Sequence, residues 1–339
     1  MVDIQKNVSL QSYNTFHTKN IARYFAIVET PRDIPELIAV AHKKNIPLHI
    51  LGGGSNTIFT KDPIEQLVLH MKESYIHICT TEDTTVDIEI GAGTKWDEVV
   101  QWAIQNNISG TEALSGIPGT AGAAPIQNIG AYGQEIRDVL IEVHAYDIAH
   151  HAQVILPISI CHMTYRSSIF KEERGRYIVT AIVLRLKKEL PHIPAYPDVQ
   201  DYFKKQFISN PTLSQIREAI LFIRSQKLPD PDILPNVGSF FKNPIITQTQ
   251  AKELQKNYPF IKLFPINATQ VKIPAGWLIE QCGLKGTTIG PVGIYEKNAL
   301  ILTNTGGATY HDIMFAKNSI TQKVFEKFKI SLEMEPDCI

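Results

Sequence analysis

Apolar residues along this 339-residue chain recur at two spacings, one suited to strands and one to helices. Apolar runs and period-two alternation predict strands at 22–30, 47–51, 67–71, 86–90, 139–148, 177–186 and 299–303. Residues 150–160 are a candidate partner for 139–148, and a last strand is expected at 329–334. Helical spacing predicts helices at 33–44, about 95–106, 214–226, 248–257, 276–282 and 311–328. Ile34, Leu37, Ile38 and Ala41 share one face of the first helix. Trp96, Val99, Val100 and Ala103 share one face of the second. Asp33, Thr94 and Ser214 are the expected N-caps. Trp96 and Trp102 read as helix packing. Residues 187–213 mix lysines, prolines and short polar pieces, as a domain junction does.

Two stretches break both periods. Residues 110–133, GTEALSGIPGTAGAAPIQNIGAYG, hold six glycines and almost no charge, so no amphipathic helix can run through them. Glycine costs backbone entropy, and its compensating use is close backbone approach to a ligand or to another chain segment. The stretch is therefore either a cradle for a large cofactor or a buried loop of small residues. The second stretch, Gly52-Gly53-Gly54-Ser55-Asn56, follows a strand–helix–strand unit. It lacks the Gly-Lys-Ser/Thr of a phosphate-binding P-loop, and it does not open a helix after a first strand as a dinucleotide fingerprint does. A tight turn and a phosphate loop both remain open for it.

Composition narrows the classes. Hydrophobic residues make up 44% and charged residues 20%, the balance of a soluble globular protein. Lys plus Arg number 33 against 34 Asp plus Glu, which leaves no long-range field for nucleic acid or an anionic membrane. An anionic ligand would have to be held by local lysines and backbone amides. The four cysteines form no CxxC pair, so neither a zinc site nor a redox dithiol is expected. The N-terminal segment has no signal-peptide core, and no apolar run is long enough to span a bilayer.

Three polar residues stand in loops that could carry chemistry. Arg166 follows Tyr165, Ser239 sits between Gly238 and a Phe-Phe pair, and Glu335 lies near the C-terminus. Each also has an ordinary reading: a surface ion pair, a turn hydroxyl, a solvated tail. Ser239 lacks a G-x-S-x-G elbow, which argues against an acyl-transfer nucleophile. The histidines lack metal-ligand spacing. Lys227, Lys242, Lys262, Lys272 and Lys285 form a set, most of them near prolines or glycines rather than on regular helix faces. As converging point charges they would suit a diphosphate.

Taken together, Gly-Gly-Gly-Ser-Asn at 52–56, Ile-Pro-Gly-Thr at 117–120 and Pro-Ile-Gln-Asn-Ile-Gly-Ala-Tyr-Gly at 125–133 resemble the UDP-N-acetylenolpyruvoylglucosamine reductases. So do Tyr-Arg-Ser-Ser-Ile-Phe-Lys at 165–171 and Gly-Ser-Phe-Phe-Lys-Asn-Pro at 238–244. The resemblance spans essentially the whole chain. It implies an α+β protein: a two-subdomain FAD-binding fold of the PCMH or vanillyl-alcohol-oxidase type, then a smaller α+β substrate-binding domain. The implied boundaries are 17–188 for the FAD domain, with subdomains of about 17–65 and 66–188. The UDP-sugar domain takes 210–330, and a C-terminal segment, 331–339, carries Glu335.

The resemblance further implies FAD as cofactor, NADPH as co-substrate and UDP-N-acetylglucosamine enolpyruvate as substrate. The product would be UDP-N-acetylmuramate, for peptidoglycan synthesis and through it cell shape and division. By match, Gly52, Gly53, Gly54, Ser55, Asn56, Ile117, Gly119, Thr120 and Gly122 line the cofactor. Ser239 is the proton donor, and Arg166 and Glu335 stabilise an enol-like intermediate. Tyr196, Lys227, Asn243, Lys272, Lys285 and Asn298 map to the sugar nucleotide. Phe264 stands where relatives close a loop with a tyrosine, so that hydroxyl is absent. Asp337 is the alternative to Glu335. The expectation is a cytoplasmic monomer acting on small molecules, with no metal, nucleic acid or membrane partner. A flavin oxidase of the same fold and a sugar-nucleotide-binding protein without catalysis are the rivals.

Overall fold

The computed structural model describes residues 2–189 and 191–339, which divide into two compact units. One takes the chain up to Ser9, Ile21–Gly54 and Asp62–Gln226; the other takes Leu10–Asn20, Ser55–Lys61 and Lys227–Ile339.

Among the described residues the first unit holds two larger sheets and a two-stranded hairpin. One has the spatial order Gln5–Ser9, Ile21–Val28, Ile64–Met71, Leu48–Leu51. Its last three strands pair in parallel, which requires a crossover. Helix α1 (Ile34–Lys44) supplies it and buries Ile34, Leu37, Ile38 and Ala41 against Ala26, Val28, Leu67 and Leu69. Asp33 borders α1, but its carboxylate closes a capping box with Thr30 around the short 3-10 turn before it.

The other sheet is antiparallel, in the order Ala152–Pro157, Leu140–Asp147, Tyr177–Lys187, Thr85–Gly91, Ile76–Thr81. Helix α2 (Trp96–Gln105) covers one face through Trp96, Val99, Val100 and Ala103, and the Trp96 indole donates to Leu114 O at 3.1 Å. Thr94 does not cap α2. Lys95 holds the cap position, while Thr94 Oγ1 donates to Tyr75 O at 3.2 Å and accepts from Tyr75 N at 3.1 Å. The hydroxyl is thus spent on the neighbouring strand connection.

After the short helix α3 (Ile169–Glu172) and the strand ending at Lys187, the supposed polar junction contains helix α4 (Pro197–Lys205). Its buried Val199 and Phe203, one turn apart, pack on Ile216, Ala219, Ile220 and Ile223 of α5 (Leu213–Lys227). Thr212 caps α5 in place of Ser214: its Oγ1 accepts from Gln215 N at 3.2 Å, and Gln215 Oε1 accepts from Thr212 N at 2.9 Å. The first unit runs through Gln226, so residues 210–226, assigned from sequence to the substrate domain, belong to it. The reason is the α4–α5 core.

The second unit has one sheet in the order Asn236–Ser239, Ile301–Asn304, Val292–Ile294, Thr288–Ile289. A smaller sheet joins Ile245–Thr247, Gln270–Lys272 and Phe264–Pro265. Helices α6 (Gln248–Asn257), α7 (Ala275–Gln281) and α8 (Tyr310–Phe328) enclose a core that includes Phe240, Phe241, Leu278, Ile279, Ile313, Ile320 and Val324. The strand expected at 329–334 is absent. Lys329 ends α8 in the left-handed conformation, and the chain then makes a single bridge from Met334 to Phe241. Strand structure resumes only at Asp337–Cys338, parallel to Thr57–Ile58.

Candidate active site

In the first unit the two glycine stretches meet backbone to backbone. A Cβ on Gly52 would lie 2.7 Å from Thr120 Oγ1, and one on Gly53 would lie 2.9 Å from Gly119 Cα. Neither position has room for a side chain. The 119–122 segment is zipped onto the chain before α2: Trp96 N donates to Gly119 O at 3.0 Å, Ala121 N to Thr94 O at 2.8 Å and Gly122 N to Ala92 O at 2.9 Å. A Cβ on Gly122 would come within 2.5 Å of the Ala92 methyl. Ile117 is half-buried against the unit's core. Thr120 Oγ1 is buried with no hydrogen-bond partner among the described residues.

These features fit an FAD diphosphate. Side-chain-free backbone admits the phosphates closely, and the Thr120 hydroxyl has a donor that the protein leaves unused. Gly54, at φ +61°, ends the first unit's share of the loop. Ser55 and Asn56 belong to the second unit. There Asn56 Nδ2 donates to Glu335 O at 3.4 Å, and Asp337 N donates to Asn56 O at 2.9 Å.

Arg166 also belongs to the first unit. It occupies a tight turn in which Thr164 and Ser167 exchange backbone hydrogen bonds of 3.0 and 3.2 Å, and its φ of +56° is strained for a long side chain. Its terminal nitrogens donate to Gly130 O at 3.2 Å and to Asn128 O at 3.5 Å. Ser168 Oγ reaches Ile126 O at 2.6 Å, and Asn128 Nδ2 reaches Thr164 O at 3.0 Å. The structure thereby brings together two motifs lying far apart in sequence, 125–133 and 165–171. Tyr196 stands edge-on to Tyr132, with 5.3 Å between ring centroids.

In the second unit Ser239 ends a strand just after Gly238, at φ +69°. Phe240 and Phe241, both fully buried, anchor the following segment. Glu335 N donates to Phe240 O at 2.9 Å, and Lys242 N donates to Glu333 O at 2.9 Å. Residues 333–335 therefore run antiparallel beside 240–242, which sets Glu335, 7% exposed, across from the residue after Ser239. Asp337 instead lies in the strand paired with Thr57.

Four of the six sugar-nucleotide candidates lie around α7. Asn243 Oδ1 accepts from Ala275 N at 2.9 Å, and Lys272 pairs with both Ile245 and Phe264. Asn298 Oδ1 lies 3.3 Å from where a Gly276 Cβ would be. One turn on, Glu280 pairs with Lys285 Nζ at 3.0 Å. Lys227 stands earlier in the chain, where it ends α5 and opens the second unit.

One group escaped the sequence reading. Asp97 on α2 accepts from Gly116 N at 2.6 Å and takes both terminal nitrogens of Arg217, at 2.6 and 2.7 Å. Arg224 donates to Gly116 O at 2.8 Å. The usable signal was the seven-residue spacing of Arg217 and Arg224, which puts two guanidiniums on one helix face. Among the described residues no cluster of metal ligands occurs, and no helix is long and apolar enough to cross a membrane.

Comparison with known proteins agrees with both halves. Residues 22–150 match the FAD binding domain family. Residues 229–339 match the C-terminal domain family of UDP-N-acetylenolpyruvoylglucosamine reductase. The chain is 39% identical to the UDP-N-acetylenolpyruvoylglucosamine reductase of Flavobacterium johnsoniae over 100% of both chains. It is 39% identical to that of Pseudomonas aeruginosa over 99% of each. The crystal structure of UDP-N-acetylenolpyruvylglucosamine reductase (MurB) from Thermus caldophilus superposes with a TM-score of 0.70 at 22% identity, covering 100% of this chain and 99% of that one. The α+β architecture, an FAD-binding portion followed by a smaller one, is therefore shared. Identity at this level over the full length, with both domain families matched in order, places the chain in the UDP-N-acetylenolpyruvoylglucosamine reductase family.

Proposed function

We infer that this chain reduces UDP-N-acetylglucosamine enolpyruvate to UDP-N-acetylmuramate for peptidoglycan synthesis, with NADPH as reductant and FAD as cofactor. The observation that carries this reading is the end-to-end 39% identity to reductases of that name. When bound, FAD supplies the two-electron store that links NADPH to the enolpyruvyl group. Gly52, Gly53, Gly54, Ser55, Asn56, Ile117, Gly119, Thr120 and Gly122 would hold it.

The chain's own residues then have distinct tasks. As the outer carbon of the enolpyruvyl group gains a hydride, negative charge moves toward the substrate carboxylate. Arg166, its guanidinium fixed by two backbone carbonyls, stabilises that charge, and an interaction that grows with the charge favours the transition state over the ground state. Ser239 gives its hydroxyl proton to the carbon beside the carboxylate. A serine is a weak acid, so it depends on placement by the buried Phe240-Phe241 anchor and on the buried Glu335 carboxyl. Asn243, Lys272, Lys285, Asn298, Lys227 and Tyr196 would bind the sugar nucleotide. Phe264 keeps an aromatic face without a hydroxyl. The reading is of a monomer that meets its nucleotide-linked substrate in the cytoplasm.

The test is spectroscopic. Purified protein should carry a flavin absorption that NADPH bleaches and the enolpyruvyl substrate restores. Protein without flavin, and unable to bind it, refutes the reading. Restoration by oxygen alone, with none by substrate, would indicate an oxidase. In Ser239→Ala, NADPH bleaching should proceed nearly unchanged while substrate-driven restoration slows by about 10²–10⁴-fold. Equal slowing of both steps would remove the proton-donor role.

A further inference from the structure

The peptide groups flanking Gly116 are gripped from two helices. Its N–H is held by Asp97 of α2 at 2.6 Å, and that carboxylate is itself fixed by the Arg217 fork at 2.6 and 2.7 Å. Its carbonyl is held by Arg224 at 2.8 Å. Space is exhausted there: a Cβ on Gly116 would lie 2.7 Å from Leu221 Cδ2 and 3.1 Å from Arg224 Nε, at a φ of +70°. Gly116 immediately precedes Ile117-Pro118-Gly119-Thr120, so its clamp sets where the cofactor-lining backbone begins.

Arg224 has a second partner. Its guanidinium also acts electrostatically on the Tyr132 phenol at the far end of the same glycine-rich stretch. Tyr132 turns the hairpin that pairs Gly130–Ala131 with Gln134–Glu135, and it holds a φ of +50° there. Gly130 is the residue whose carbonyl receives the Arg166 guanidinium at 3.2 Å. Tyr132 also takes Tyr196 edge-on. One part-buried guanidinium thus grips one end of the stretch, which would carry the flavin, and exerts its charge on the other, which would orient Arg166.

We propose that Arg224 is a positioning residue for the reaction, fixing the cofactor-lining segment through Gly116 and the Arg166 platform through Tyr132. The planar fork is what allows one side chain to serve both. A lysine, with a single point of charge, can keep one contact at most. The inference rests on the reductase reading above, and its test separates the two.

The apoprotein of wild type and of Arg224→Met is titrated with FAD and followed by flavin fluorescence, with the melting temperature of each apoprotein recorded. Loss of the charge-assisted hydrogen bond at Gly116 should weaken FAD binding about tenfold. Unchanged FAD affinity in a folded Arg224→Met apoprotein overturns the proposal. Tyr132→Phe removes only the hydroxyl and leaves the Gly116 clamp intact. In that variant FAD affinity and NADPH bleaching should match wild type, while substrate-driven restoration slows severalfold with a raised KM. Restoration at the wild-type rate, or equal slowing of both half-reactions, overturns the link to Arg166. Failure of wild type itself to bind FAD would refute the functional reading instead.

Discussion

Thr120 has a buried hydroxyl with no partner among the described residues, beside a glycine that cannot accept a Cβ. An unsatisfied buried hydroxyl costs stability in the apoprotein and becomes an asset only when a ligand pairs with it. Thr120→Val should therefore leave the apoprotein as stable as wild type or more so, while FAD binds about three- to tenfold more weakly. Thermal melting of the apoprotein and fluorescence titration with FAD measure the two effects. An unchanged FAD affinity would show that the hydroxyl serves packing alone. At this scale the sequence was legible only in part. Arg166 and Ser239 look ordinary one at a time, and motif resemblance singled them out. The hold of Asp97 and Arg224 on Gly116 stayed hidden because it is made to backbone atoms, and backbone partners leave no residue-type signature.

Helices and strands with a full apolar face were read well: α1, α2, α6 and α8 lie within a residue or so of where periodicity puts them. The failures share a cause. Helix α4 buries only Val199 and Phe203, too few apolar positions to stand out among lysines and prolines. The cap assignments at Thr94 and Ser214 failed because a hydroxyl next to a helix start can serve another segment or already lie within the first turn. The α2–α5 tie carries its own prediction. Burial alone would raise the Asp97 carboxyl, but hydrogen bonds from Arg217 and Gly116, and the charges of Arg217 and Arg224, outweigh it and hold it below the ordinary range. A carboxyl lowered in the folded state stabilises the fold above its unfolded value of about 3.9, and that contribution is lost as pH falls through the folded value. The stability difference between wild type and Asp97→Asn should be largest above about pH 4 and shrink in stronger acid. Urea melts across that range check the sign. A difference that grew on acidification would contradict it.

At the scale of the molecule, an FAD-binding portion and a smaller one were legible, but their interleaving was not. Segments 10–20 and 55–61 belong to the second unit although the first unit surrounds them in sequence. Hydrophobic pattern reports what is buried along a segment, and it carries no record of which distant segment buries it.

The pairing of Asp337–Cys338 with Thr57–Ile58 also bears on the order of folding. Ends this far apart must be brought together before their contacts return any stability, and such closure slows folding. During synthesis the first unit has all its strands and helices once Gln226 is made, whereas residues 10–20 and 55–61 must wait for the rest of their unit. In pulse-labelled hydrogen exchange during refolding, amides of the Leu140–Asp147 and Tyr177–Lys187 strands should gain protection before those of Thr57–Ile58 and Ile301–Asn304. Simultaneous protection would mean that the two units fold as one. On the expected order, the loop carrying Ser55 and Asn56 is finished last, so the flavin contacts proposed for these two residues are acquired at the end of folding.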